Sequence, residues 1–301
     1  MCCDPEGSGT GSRRRRWVAG ATIDRTHHTW TWRRLLRQID GETKIVAILG
    51  DPIAQAKSPE LFNALFERHA VNAVLIPMHV PPAQLGAVLD GLRGIVNLAG
   101  VVVTVPHKFA AAAYAANLSD SVRQTGGVNC LRREADGTWS GAMFDGSGFV
   151  KGLAACGQVV RNKSVLLVGI GGAGTAVAHA LLDAGVISID LYDANLESMG
   201  RLEDALRSRQ SAASIRRGVA SAQATHDLIV NATPCGMRAG DPSPIDLTCA
   251  SQQAVVADLI MKPEQTPLLN AAKARGLTAH SGRHLLESSV ETMAAFLRLM
   301  A

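Results

Sequence analysis

No stretch of the 301 residues approaches the roughly 18 uncharged apolar residues needed to cross a bilayer, which excludes a helical membrane span. The opening MCCDPEGSGTGSRRRR has no apolar segment of the kind a secretory signal carries, so none is expected. Cysteines are few and scattered: Cys2, Cys3, Cys130, Cys156, Cys235 and Cys249 lack the paired spacing of a zinc site or a disulfide framework. Reduced thiols in a cytoplasmic protein, and no metal, are the expectation. There is no internal repeat and, past the N-terminal stretch, no low-complexity segment. Nor is there a usable excess of charge. The formal net charge is +4, and residues 1–40 supply all of it, with eight arginines against Asp4, Glu6, Asp24 and Asp40. The remaining 22 basic and 22 acidic residues cancel, so the body carries no nucleic-acid footprint. Residues 1–40 are expected to be a disordered basic extension, although Arg13 to Arg16 also fit a nucleic-acid or targeting patch.

What is present is a globular balance, 47% hydrophobic and 19% charged, over a length that suggests two domains. From Lys44 onward apolar strands alternate with helical periodicity. KIVAILG ends in Gly50-Asp51-Pro52, a buried strand meeting a turn. Ser58-Pro59 then opens a helix, with Ser58 as a natural N-cap and Leu61, Phe62, Leu65, Phe66 and His69 on one face. AVLIPMHV is the next strand, and residues 82–93 a helix. GVVVTVP is a strand apolar enough to be covered on both faces, followed by an alanine-rich helix over 107–116. VNCLRREADGTWSG predicts a hairpin across Asp136-Gly137, and a helix runs from Asp145 to Cys156. After a polar break at 157–162 come strand, glycine turn and helix, then further strands at ISIDLYD, LIVNATP and AVVADLI. Leu286, Val290, Met293, Leu297 and Met300 place a helix at the C-terminal end. The pattern is that of an α/β protein with parallel sheets sandwiched by helices.

Gly169, Gly171 and Gly174 form G-x-G-x-x-G between an apolar strand and a helix. The first allows the tight turn, the second close approach of a pyrophosphate, and the third packing of helix on strand. Gly172 and Ala173 sit at the helix start, where unpaired N–H groups favour an anion. About 20 residues on, Asp193 ends the second strand, where a carboxylate accepts from both adenosine ribose hydroxyls and repels a 2′-phosphate. Ala194 and Asn195 offer no arginine to hold such a phosphate, so the expected cofactor is NAD, with NADP less suited.

Four separated pieces precede this unit: GDPIAQAKSP (50–59), VTVPHK (103–108), GGVNC (126–130) and FDG (144–146). With the glycine motif and NATPCGM (231–237), the set resembles the shikimate/quinate dehydrogenase family over about residues 44–300. The resemblance implies a substrate-binding and catalytic domain over 41–148, joined by a returning C-terminal helix at 284–301, and a Rossmann domain over 149–283. It implies reversible, NAD(P)-dependent oxidation of a ring hydroxyl of shikimate or quinate in the cleft between them. Lys108 and Asp145 match the family's catalytic pair, which would hold and hand over the hydroxyl proton, an effect of typically 10²–10⁴-fold. Read alone, Lys108 is a solvated first-turn lysine and Asp145 a turn or cap. Ser58 matches a serine that holds the substrate carboxylate, and Thr104 and Asn129 match positions that bind ring hydroxyls. Read alone, these are an N-cap, a buried strand hydroxyl and a turn amide. Asn231, Thr233, Pro234 and Gly282 match positions lining the cofactor side. His107 has no matched role and is expected exposed at a helix start.

Several polar family positions have become smaller or more apolar. Ala56 replaces a serine, Val102 an asparagine, Met143-Phe144 an Asn-Thr pair, Met261 a tyrosine and Ser289 a glutamine. Each hydrogen bond lost costs about 0.5–3 kcal/mol, so a weaker grip on a trihydroxy acid is expected. A less polar cyclic hydroxy acid, or weak activity on quinate or shikimate, fits better. The expected partners are a small cyclic hydroxy acid and, at most, a second copy of the chain, with no nucleic acid or membrane. A non-catalytic NAD-binding module that kept the fold is the alternative, against which retention of both Lys108 and Asp145 counts. A methylene-tetrahydrofolate dehydrogenase type shares the two-domain plan, but the Asp-Gly and Lys-Ser-Pro elements count against it.

Overall fold

Runs of Val, Ile and Leu too apolar for one-sided burial wind, with their helices, into two six-stranded sheets. The computed structural model describes residues 39–209 and 211–300, and the expectations for residues 1–38 lie outside them. The described chain begins at an anchored turn, where Asp40 Oδ1 accepts from Glu42 N, Thr43 Oγ1 and Asn72 Nδ2. Residues 39–301 cluster as one body.

The first sheet comes from β1 (Lys44–Gly50), β2 (Ala73–His79), β3 (Leu98–Val103), β4 (Ala115–Leu118), β5 (Cys130–Arg133) and β6 (Trp139–Ala142). Its order is β2-β1-β3-β5-β6-β4; β1 runs parallel to β2 and β3, and β5 antiparallel to β3 and β6. Helices α1 (Ser58–Arg68), α2 (Leu85–Leu92), α3 (Lys108–Ala112) and α4 (Asp120–Thr125) accompany it. On α1 the 3.6-residue pattern buries Phe62, Leu65 and Phe66 and leaves His69 exposed. Helix α5 (Asp145–Ala155) then crosses to the second sheet.

That sheet holds β7 (Ser164–Val168), β8 (Ser188–Tyr192), β9 (Ser214–Arg217), β10 (Leu228–Asn231), β11 (Val255–Asp258) and β12 (Thr278–Ser281). All are parallel, in the order β12-β11-β10-β7-β8-β9. This is the doubly wound order, and it reverses direction between β7 and β10, where ligands bind beyond the strand ends. Its helices are α6 (Gly172–Asp183), α7 (Leu196–Arg207) and α8 (Pro267–Ala274). The chain closes with α9 (Arg283–Glu287) and α10 (Val290–Phe296). Val290, Met293, Ala294 and Leu297 pack into one core with Val46, Ile48, Phe62 and Phe66 of the first half. Four such side chains represent on the order of 1.5–3 kcal/mol each for the larger ones.

Two expectations need correction. The alanine-rich helix ends at Ala112 rather than 116, because Ala115–Leu118 pairs with β6 as a strand. Tyr114 meanwhile docks over Gly86, where any Cβ would lie 2.4 Å from its hydroxyl. The C-terminal helix is two helices: the Ser289 hydroxyl donates to Leu285 O at 2.7 Å, and the break seats Ser289 against Gly148. Strands β4, β9 and β12 carry no apolar run and are not anticipated by periodicity.

Candidate active site

Lys108 is the first residue of α3, directly past the buried β3, and Asp145 the first of α5. Lys108 Nζ donates to Asp145 Oδ2, with the two side chains only 12% and 9% exposed. The other carboxylate oxygen accepts from Asn129 Nδ2 at 2.7 Å, and Asn129 Oδ1 accepts from Phe144 N at 3.0 Å. Asn129, buried just ahead of β5, thus fixes both the carboxylate and the backbone at the start of α5. The structure therefore brings together three residues spread over 37 positions of sequence.

Around this pair the expectations divide. His107 is not an exposed helix-start residue: it is 1% exposed, and its Nε2 lies 2.7 Å from Val80 O, pinning the turn before Lys108 to the end of β2. Ser58 is not the cap of α1. Lys57 holds that position without a side-chain cap, its ammonium pairing instead with Glu60 at 2.9 Å. Ser58 is buried within the first helical turn, and its hydroxyl has no hydrogen bond among the described residues. Thr104 is half-buried, its methyl filling the space a Gly50 Cβ would need, at 2.5 Å.

On the second sheet, Gly169 has φ +98°, and a Cβ there would meet Thr233 N at 2.6 Å. A Cβ on Gly174 would strike Gly169 O at 2.0 Å, so helix and turn pack backbone to backbone. Gly171 differs: nothing lies within 4 Å of its Cβ position. The turn is open where a pyrophosphate would approach, ahead of a twelve-residue helix whose N-terminus favours anions. Gly172 faces the other half, with the Lys108 stem 3.1 Å from where its Cβ would be. Ala173 follows it, half-buried in the first turn of α6. The glycine turn and the Lys108–Asp145 pair thus adjoin.

Asp193 directly follows β8 and accepts from Ile170 N at 2.6 Å and Asn195 N at 2.8 Å. A carboxylate has about four acceptor sites, so two remain for a diol. The arginines on neighbouring elements are occupied: Arg216 pairs with Asp190, Arg217 with Glu203 and Arg201 with Glu197. Asn231, at the end of β10, is fully buried and organises the next turn, accepting from Thr233 N and Oγ1 and donating to Asp258 Oδ1 at 3.0 Å. Pro234 is exposed on that turn. Asp258 also accepts from Ile260 N and from Thr266 Oγ1; burial pushes its carboxyl up, and these three hydrogen bonds oppose the shift. Periodicity missed Asp258, although an acid closing AVVAD after four apolar residues was its signal. Gly282, between β12 and α9, sits so close to the loop after β11 that a Cβ would lie 2.4 Å from Leu259 O.

The positions expected to depart from the family pattern fall in two adjoining cores. Ala56, Val102, Phe144 and Met261 join the core that α10 closes, Phe144 meeting Phe296 edge-on at 5.6 Å, while Met143 is buried in the adjoining core. Ser289 spends its hydroxyl on Leu285 O. A separate groove of about 410 Å³ opens between α4, α6 and α7, beside Ile170 and Thr175, and none of Lys108, Asp145 and Asp193 lines it.

Residues 48–131 match the family model of the shikimate dehydrogenase substrate binding domain. The chain is 37% identical to a shikimate dehydrogenase (NADP(+)) of Rubrobacter xylanophilus over 86% of its own length and 92% of that protein's. It superposes on shikimate 5-dehydrogenase from Thermus thermophilus in complex with NADP(H) and shikimate, with TM-score 0.76 and 27% identity, covering 85% and 93% of the two chains. Quinate dehydrogenase from Corynebacterium glutamicum in complex with NAD gives TM-score 0.71 at 26% identity, covering 84% and 93%. A two-sheet α/β oxidoreductase is what fold and likeness define. The chain belongs to the shikimate/quinate dehydrogenase family.

Proposed function

We propose that this protein catalyses reversible oxidation of a ring hydroxyl of shikimate, quinate or a related cyclic hydroxy acid, using NAD in preference to NADP. The observation that carries the reading is the buried Lys108–Asp145 pair adjoining the glycine turn. When bound, a nicotinamide dinucleotide supplies the hydride chemistry. In the reductive direction Lys108 Nζ gives a proton to the developing alkoxide, and in oxidation it takes the hydroxyl proton back. Asp145 holds and orients the ammonium, and Asn129 holds Asp145. Ser58, whose hydroxyl makes no hydrogen bond among the described residues, is assigned to the substrate carboxylate and Thr104 to a ring hydroxyl. The substrate side comprises residues 41–148 with 284–301, and the cofactor side 149–283. Asp193 supports NAD through its two remaining acceptor sites and its charge. The relatives named for NADP(+) share the nicotinamide and differ in this finer preference.

The deciding experiment is Lys108→Ala. Turnover of the best substrate in a panel of cyclic hydroxy acids should fall by roughly 10²–10⁴-fold, with NAD affinity changed only a few fold. Asp145→Asn should also lower kcat, and the double variant should lose less than the product of the two single losses. Unchanged turnover in Lys108→Ala would overturn the assignment. NAD binding with no turnover of any panel member by the unaltered protein favours the non-catalytic reading.

A further inference from the structure

A second cluster of chemically able side chains lies away from the relay. Cys156 caps the C-terminal end of α5, His280 lies on β12, and His284 is in the first turn of α9. One ligand atom from each lies within 4.8 Å of the others. An ideal tetrahedral site with metal–nitrogen and metal–sulfur bonds of about 2.0–2.3 Å separates its ligands by roughly 3.5 Å. Cys156 is exposed and His284 partly so, which leaves both side chains room to move toward His280.

Two independent features point to a ligand. His280 is 4% exposed, yet its Nε2 is buried without a hydrogen-bond partner, and no hydrogen bond reaches either ring nitrogen among the described residues. A buried ring nitrogen left without a partner is costly unless a ligand supplies one. His284 in turn places Nδ1 3.4 Å from Glu287 Oε2, leaving Nε2 as its free donor. A carboxylate behind a ligating imidazole is the usual arrangement at metal sites, where it fixes tautomer and ring orientation. The two imidazoles already lie close, with centroids 4.8 Å apart and planes tilted by 36°, and Phe149 packs edge-on against His280.

We infer that Cys156, His280 and His284 form a binding site for a thiophilic divalent ion, Zn²⁺ by preference, completed by a water in the fourth position. One sulfur and two imidazole nitrogens select such an ion over Mg²⁺ or Ca²⁺, which require oxygen. On binding, the Cys156 thiol gives its proton to solvent and coordinates as thiolate. The ion fastens the far end of α5 to the β12–α9 corner. It has no part in the dehydrogenation, because the eleven-residue α5 separates Cys156 from Asp145 by about 16 Å.

The test uses the full chain, stripped with EDTA and titrated with Co²⁺. One equivalent should bind, with a near-ultraviolet thiolate-to-cobalt absorption and the visible bands of four-coordinate cobalt, both erased by Zn²⁺. Cys156→Ser should abolish the thiolate band, and His284→Ala should weaken Co²⁺ binding by about tenfold or more. Both residues reach the surface, so circular dichroism is expected to show unaltered folding, which buried His280 would not guarantee. Zn²⁺ should raise the Tm of the parent protein and not of Cys156→Ser. Absence of the thiolate band overturns the inference. So does its persistence in Cys156→Ser, which would assign the ion to other cysteines, or an equal Zn²⁺ effect on Tm in both proteins.

Discussion

On the proposed function, Asp193 and Ser58 set cofactor and substrate preference, and two substitutions test this directly. Asp193 faces the cofactor side with two acceptor sites uncommitted and with nearby arginines already paired. A charged hydrogen bond of about 1.5–3 kcal/mol corresponds to a ten- to hundredfold preference. The unaltered protein should therefore use NAD at least about tenfold better than NADP in kcat/KM, and Asp193→Ser combined with Ala194→Arg should move the preference toward NADP. Equal use of both by the parent would sink this assignment. Ala56→Ser returns a hydroxyl two residues from Ser58 and should lower KM for shikimate or quinate, with kcat little changed; an unchanged KM would remove Ser58 from the carboxylate site. The pair Lys108 and Asp145 was legible in sequence because the motifs around each are distinctive. The partners of His107 and Asn129 were not. Their hydrogen bonds run to Val80 and Asp145, and no local pattern announces a partner 27 or 16 residues away.

Among the elements, legibility followed apolarity. Strands β3, β7, β10 and β11 are runs of buried Val, Ile, Leu and Ala and read plainly from the sequence. AANL, SIRR and TAHS do not, because each becomes a strand only by pairing with a neighbour already in place. Helix α5 reads correctly, but its glycines hide their purpose until its neighbours are seen. Gly146 packs so tightly on α6 that a Cβ would lie 2.2 Å from Ala176 O, a backbone atom that cannot swing aside. Gly146→Ala should therefore cost about 1–3 kcal/mol or more. In a protein of this size that lowers Tm by several degrees, at roughly 2–4 °C per kcal/mol. Gly91, exposed near the end of α2 with nothing within 4 Å, gives the opposite expectation. Gly91→Ala should stabilise by about 0.5–1 kcal/mol by relieving the entropy of a helical glycine. Thermal melts of the two variants, scanned side by side, check both; a shift of the same sign in each would contradict the packing argument.

At the scale of the whole molecule, part of the acid sensitivity of folding should come from a buried histidine. His179 on α6 accepts from Arg209 Nη1 at 3.0 Å, and Arg209 pairs with Asp183. Burial first, and then the Arg209 charge, pushes His179 down to about 4, with Asp183 opposing. An unfolded histidine titrates near 6.5, so between the two values the unfolded chain binds more protons. Stability from this source is complete above about pH 6.5 and declines as pH falls toward 4. His179→Gln should flatten that part of the profile, which urea midpoints at pH 7.5 and 5 will measure; an unchanged slope would place the acid sensitivity elsewhere. The two-sheet plan also belongs to this scale: alternation of strand and helix anticipated an α/β protein, whereas the strand orders and the antiparallel β5 emerge only from pairing in space. The return of α10 has a further consequence in time. The first half completes its own strands by Ala142, yet its core lacks Val290, Met293, Ala294 and Leu297. At about 5–20 residues per second, the ribosome needs on the order of 10–30 s to deliver those side chains. Throughout that interval the nascent first half shows a bare apolar face over Phe62 and Phe66, a standing invitation to chaperones while the dinucleotide half is being made.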